Sequence, residues 1–194
     1  MRRSVIAFVA AGIVALSLIT DAAASAAARS MASVQKSSTF VFDQIATHGP
    51  AGAADQYIQI KNLSQVPQDL GNFKVEFAPS RSQIFEVAAI PPGTILQPGQ
   101  VYLMVNPLGY SGPTVDEYFT GFTLPERFSI ALLSPSNVIV DSVSTIPTSP
   151  IPFGDPAPIC KGPNAALIRR SNTGDNAVDF YCGPRVPGLP GPDA

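Results

Sequence analysis

The chain has 194 residues, with 12 Lys and Arg against 14 Asp and Glu, a formal charge of −2 and 45% hydrophobic residues. That length suits one domain of ordinary size. The charge is mildly acidic and holds no block of Lys and Arg, which excludes the electrostatic footprint of a nucleic-acid binder.

Taken in chain order, the first 26 residues read as a signal peptide. Arg2 and Arg3 form a positive start, Val5 to Ile19 is apolar and uncharged, and Ala24-Ser25-Ala26 fits the small-x-small cleavage rule. The apolar run is short for a membrane span, which needs ~20 residues. Arg2-Arg3 leaves the export route open between the general secretory and twin-arginine systems. Cleavage after Ala26 removes Arg2, Arg3 and Asp21 and takes the formal charge to −3. Residues 27–37 are small and polar and read as a flexible leader.

Residues 38–182 carry short alternating runs separated by prolines, the punctuation of an all-β domain. Strands are expected over Thr39–Ile45 and Gln56–Lys61, the second with Tyr57 and Gln59 on one face and Ile58 and Ile60 on the other. Phe73, Val75 and Phe77 alternate with Lys74 and Glu76, and Ile84–Ala88 points Phe85 and Val87 inward. Val101–Val105 is nearly continuous in apolar residues and suits a central strand. Phe128–Leu133 and Val138–Val143 flank Ser134-Pro135-Ser136-Asn137 as a hairpin. Ala165–Arg169 and Val178–Tyr181 are the last strands. No run of ten or more residues after the signal peptide has a helical period. This spacing predicts a single-domain sandwich or barrel. Residues 183–194, GPRVPGLPGPDA, are expected to form a disordered tail.

Two cysteines in an exported chain predict a disulfide between Cys160 and Cys182, worth ~3 kcal/mol on the chain-entropy account. The one histidine, His48, lies in the Gly-rich stretch ATHGPAGAADQ. Gly49-Pro50-Ala51-Gly52 lacks the spacing of a phosphate loop and reads as turn chemistry. No G-x-S-x-G element accompanies His48, so an exposed loop histidine is expected in place of a catalytic one. Asp175 and Asp179 sit in the most oxygen-rich stretch, SNTGDNAVD, but two acids and two amides fall short of the six to eight oxygens calcium takes. They are weak metal candidates, and a turn held by Asx hydrogen bonds is expected instead. Arg169 and Arg170 point to opposite faces if both lie on a strand, and at least one is expected to pair with an acid such as Asp175 or Asp179. Asp116-Glu117-Tyr118-Phe119 reads as an exposed loop. Asn62-Leu63-Ser64 matches a glycosylation sequon, read here as coincidence.

The order of segments resembles the lamin tail domain, in its secreted bacterial form. The residues that carry the resemblance are FVFDQIATHGPAGAADQYIQIKNLS (40–64), VPQDLGNFKV (66–75), IPPGTILQPGQVYLMVN (90–106), GYSG (109–112), IALLSPSNVIVDSV (130–143) and ALIRRSNTGDNAVDF (166–180). The likeness covers roughly residues 40–182. It implies an immunoglobulin-like β-sandwich that serves as a protein- or surface-binding module. Gln44, Gln56 and Gln59 stand where the family usually carries Glu, and Phe73 where it carries Trp. Gln keeps hydrogen-bonding capacity and loses charge.

The functional expectation is a secreted, non-catalytic structural or protein/surface-interaction module without a cofactor. Its partner would be an extracellular or cell-surface protein, met in trans, with no membrane span after signal cleavage. The alternative is a module for cell-wall polysaccharide or a divalent cation. Its ligand surface would be Tyr110, Tyr118 and Phe119, with Tyr102 a further aromatic candidate.

Overall fold

A computed structural model describes residues 36–192, apart from 81, 114, 152 and 153. The expected signal peptide and residues 27–35 of the expected leader lie outside the described residues. The chain folds as an all-β sandwich. Its strands are β1 (Phe40–Ala46), β2 (Tyr57–Asn62), β3 (Gln68–Asp69), β4 (Lys74–Ser80), β5 (Gln83–Ala89) and β6 (Ile95–Leu96). They continue as β7 (Val101–Val105), β8 (Glu117–Tyr118), β9 (Ser129–Leu133), β10 (Ile139–Ser144), β11 (Ala165–Arg169) and β12 (Phe180–Pro184), with one helical turn, α1 (Asn176–Asp179), before the last. One sheet has the order β12-β11-β1-β2-β7-β8 and the other β10-β9-β4-β5, while β3 and β6 pair separately. All pairings are antiparallel except β7 with β8.

The main core lies between the two sheets. The six-stranded sheet contributes Phe42, Ile58, Ile60, Met104 and Leu167, and the four-stranded sheet Val75, Phe77, Val87, Ile130, Leu132 and Val143. Full burial of each such side chain stabilises the fold by ~1.5–3 kcal/mol. The alternation expected for Gln56–Lys61 holds. Ile58 and Ile60 enter this core, while Tyr57 joins a second cluster with Ala46, Leu103, Val105, Ala166 and Ile168 on the other side of the sheet.

In β1 the register slips between Phe42 and Gln44, so that Phe42 faces Ile60 and Gln44 faces Gln59. The bulge inserts one residue and lets Asp43 and Gln44 both avoid the apolar core while Phe42 and Ile45 enter it.

Two expectations shift. Phe85 remains 46% exposed, on an edge strand, β5, whose first four residues are all exposed. Its ring stacks on Phe77 and Phe122 at 6.2 and 6.3 Å. Val178 is not in a strand: Asp175 caps α1 by accepting from the Ala177 amide at 3.0 Å, and extended structure resumes only at Phe180. The hairpin at 134–137 forms as expected, closed by Ser134 N donating to Val138 O and Asn137 N to Ser134 O, at 2.9 and 2.8 Å.

The two sheets are joined by charge as well as by apolar packing. Arg169, at the end of β11, is 2% exposed. Its Nη2 lies 2.6 Å from Oδ2 of Asp141 on β10, in the opposite sheet, and its Nη1 lies 3.6 Å from Asp179. Nε donates to the Phe42 carbonyl and the Phe42 amide donates to Asp141, both at 2.7 Å. The guanidinium lies over the Phe180 ring at 4.4 Å. Strand β1 pairs with β11 only through Gln44 and Ile45, so beyond that point these side chains satisfy backbone groups that the ladder has released. Burial pushes the Asp141 carboxyl up despite the arginine beside it. Burial also opposes ionisation of Asp179, but donors from Thr173, Gly174 and Ser171 outweigh it and hold that carboxyl down.

Cys160, in the segment before β11, is bonded to Cys182 on β12, 22 residues away. No helix among the described residues is long and apolar enough to cross a membrane.

Replacing Arg169 with Met leaves two carboxylates without their cation, which is expected to cost ~3–5 kcal/mol in urea unfolding. A loss below about 1 kcal/mol, the worth of a surface pair, would contradict the linking role. A Cys160→Ser/Cys182→Ser double variant is expected to lose ~3 kcal/mol in the same assay.

Candidate functional site

The Gly-rich stretch after β1 is built around an ion pair. Asp55 accepts from Arg185 Nη2 at 2.9 Å and Nη1 at 3.2 Å, from the Ala51 amide at 3.1 Å and from the Ser111 hydroxyl at 3.0 Å. A Cβ on Gly49 would overlap Arg185 Nη1 and Asp55 Oδ2, so the glycine is what lets the loop close over the pair. His48 is half-buried and its Nδ1 shares a hydrogen bond with the neighbouring Thr47 hydroxyl at 3.2 Å. The stretch is thus a structural connection clasped onto the C-terminal segment. Burial works against the Asp55 charge, but the Arg185, Ala51 and Ser111 hydrogen bonds and the Arg185 charge prevail and lower its pKa to about 2.

Beside this clasp lies an open cleft of about 470 Å³, lined by Val105, Asn106, Pro107, Tyr110, Gly112, Pro113, Val115 and Tyr118. Asn106 is buried and braces the base of the cleft. Its Nδ2 donates to Gln56 Oε1 at 3.2 Å and to Thr123 Oγ1 at 3.3 Å, and its Oδ1 accepts from the Leu108 amide at 3.0 Å. Tyr110 packs edge-on to Tyr57, with ring centroids 6.5 Å apart. Its hydroxyl is buried against Gly112 and has no hydrogen-bond partner among the described residues. Burial, only partly offset by Arg185, raises the Tyr110 pKa to about 12. Tyr118 is 54% exposed and Leu108 is 75% exposed.

The structure therefore brings two of the three aromatic candidates, Tyr110 and Tyr118, to one cleft. Phe119 is not part of it. At 3% exposure its ring belongs to the main core: it follows β8 directly and its amide donates to the Val105 carbonyl of β7 at 2.8 Å, which turns the side chain opposite to that of Tyr118. Tyr102 is likewise buried in that core. The expected exposed loop at 116–119 is a short strand, started by Asp116 accepting from the Leu103 amide at 2.8 Å.

Asp175 and Asp179 are committed to local structure. Asp175 caps α1, and Asp179 accepts from the Thr173 amide at 2.7 Å, the Thr173 and Ser171 hydroxyls at 2.8 and 3.0 Å, and the Gly174 amide at 3.0 Å. This is the expected turn. No group of three or more His, Cys, Asp or Glu among the described residues is placed to hold a metal ion. Of the arginine pair, Arg169 meets Asp179 as foreseen, but inside the fold, and it also reaches Asp141. The sequon Asn62 is fully buried and its amide donates to the Val66 and Leu96 carbonyls at 3.0 and 2.9 Å, which closes it to modification.

The tail expectation is overturned for residues 183–192. Gln44 and Gln59 donate to the Leu189 carbonyl at 2.9 and 2.8 Å. Gln59 Oε1 accepts from the Gly188 amide at 2.8 Å and Asp43 from the Gly191 amide at 2.9 Å. The polar side chains that β1 and β2 turn away from the core need partners, and the tail backbone supplies them.

No family model matches the chain, and no curated protein matches it.

With Asp55 near 2 when folded and 3.8 unfolded, the carboxylate contributes ~2 kcal/mol. That stability is complete above the unfolded value and is lost as pH falls through the folded one. The stability gap between the wild type and Asp55→Asn should therefore narrow by about 2 kcal/mol as pH is lowered from roughly 5 to 2. A gap that stays constant would show that Asp55 titrates normally.

Proposed function

We propose that the protein is an exported, non-catalytic interaction module of the lamin-tail type, an immunoglobulin-like sandwich that meets a protein on or outside the cell through its Tyr110–Tyr118 end. The observation that carries this reading is the cleft itself. It gathers an exposed tyrosine and a buried, unpartnered tyrosine hydroxyl, with a strongly exposed leucine beside it. The ionisable side chains Asp55, Asp141, Asp179, Arg169 and Arg185 are spent instead on ion pairs that hold the fold. Aromatic side chains that keep an apolar body and a polar tip are suited to partner contact. The disulfide is compatible with an extracellular setting.

A second reading keeps the same cleft and changes the ligand to a wall polysaccharide. The tyrosine faces could stack on sugar rings, and Asn106 braces the loop that presents them. The experiment that separates the two is co-sedimentation of residues 27–194 with isolated cell wall, with and without chelator. Saturable pelleting that drops at least tenfold in Tyr118→Ala supports the polysaccharide reading. Protein that stays in the supernatant supports the protein-partner reading. Pelleting unchanged in both Tyr110→Ala and Tyr118→Ala would remove the cleft from either account, and chelator sensitivity would reinstate a cation.

A further inference from the structure

The outer face of the six-stranded sheet carries a row of polar side chains that bind the backbone of the C-terminal segment, which turns at 186–189 through Leu189 N donating to Val186 O at 3.1 Å. Asp43, Gln44, Gln59 and Lys61 are each no more than 3% exposed. Together they bind the amides of Gly188 and Gly191 and the carbonyls of Leu189 and Gly191, the last through Lys61 Nζ at 3.2 Å. Arg185 fastens the start of this segment to Asp55. The fit is selective at two places. Gly188 has φ +81°, and a Cβ on Gly191 would come within 3.0 Å of Asp43 Oδ1 and 3.4 Å of Ile168 Cγ2.

The tip of the segment is exposed, Leu189 at 61% and Pro190 likewise, while Val186 and Pro187 are half-buried. Polar side chains uncovered by its departure are solvated by water, and the main core between the sheets stays closed, so opening uncovers only the part of the outer cluster near Tyr57 and Ile168 that the segment covers. Segments with few buried apolar contacts belong to the low-stability end of a fold.

We infer that this row is a cradle for the Gly-Leu-Pro-Gly segment that leads out of the turn at 186–189, and that the occupant it takes in trans is the same C-terminal segment of a second copy. Every contact of the closed chain is reproduced when the segment comes from another molecule, which makes exchange of such an element a low-cost route to association. In the wild type the chain's own segment competes at an effective concentration on the order of mM. The exchanged form is therefore favoured only where copies are crowded.

Two full-length variants test this. Gly188→Val/Gly191→Val spoils the segment and leaves the cradle intact, whereas Gln59→Leu spoils the cradle and leaves the segment intact. Each alone is expected to be monomeric, and their mixture should form a one-to-one complex at concentrations at least tenfold below those at which the wild type associates. A labelled peptide of residues 183–192 should bind the Gly188→Val/Gly191→Val protein saturably and the wild type at least tenfold more weakly. Equal binding of the peptide to both proteins, equal binding of a scrambled peptide, or no complex between two folded variants would overturn the inference. If Gln59→Leu does not fold, the peptide titration decides. Hydrogen exchange at the Gly188 and Gly191 amides as slow as in β2 would also overturn it, because the segment would then not open.

Discussion

A buried arginine closes the sandwich. Arg169 stands where β1 has parted from β11 and where the edge of the opposite sheet, β10, comes close. Without a side chain there, the Phe42 amide and carbonyl would face the interior unpaired. The guanidinium and Asp141 take one each and then pair with one another across the two sheets. Such an arrangement adds little net stability over an apolar substitute, but removal of one member is costly because the others stay buried. Its contribution is geometric, since it fixes where the two sheets meet.

The same logic extends to the edges. Asn176 of α1 donates to the Ser142 carbonyl at 3.2 Å and accepts from the Ser144 amide at 2.7 Å, so the outer side of β10 is occupied by a side chain. Thr120 does the same for β5, its amide reaching the Val87 carbonyl at 2.8 Å and its hydroxyl the Glu86 carbonyl at 3.0 Å. Unpaired edges invite pairing with other chains, and here short polar residues cover part of them. The proposed partner surface is accordingly placed at the tyrosine cleft instead of an open strand edge.

Charge and aromatic character are divided between architecture and surface. Asp55 and Arg185 clasp the first connection to the C-terminal segment, and Arg185 also lies 5.3 Å from the centre of the Tyr57 ring. Ser111, beside Tyr110, donates to the same carboxylate. The cleft therefore rests on the clasp, and its shape depends on an ion pair whose two members are 130 residues apart in sequence.

The sequence by itself determined the all-β class, most of the long strands, the hairpin at 134–137 and the cysteine pair. Alternation, proline spacing and cysteine count are local signals, and each is written within a few residues. Tyr110 and Tyr118 were legible only as aromatic residues in turn-rich stretches, on the same footing as Phe119 and Tyr102, which the fold buries. Tertiary structure alone decided that Phe119 goes inward, that Arg169 is buried with Asp141, and that Gln44, Gln59 and Asp43 lie beneath the C-terminal segment. The reason is common to all three. A polar or aromatic residue reads as exposed until a distant segment covers it, and covering depends on partners far away along the chain. The Pro/Gly-rich composition of 183–192 resembles that of a disordered tail because its ordering comes from backbone hydrogen bonds to another strand's side chains, which composition does not record.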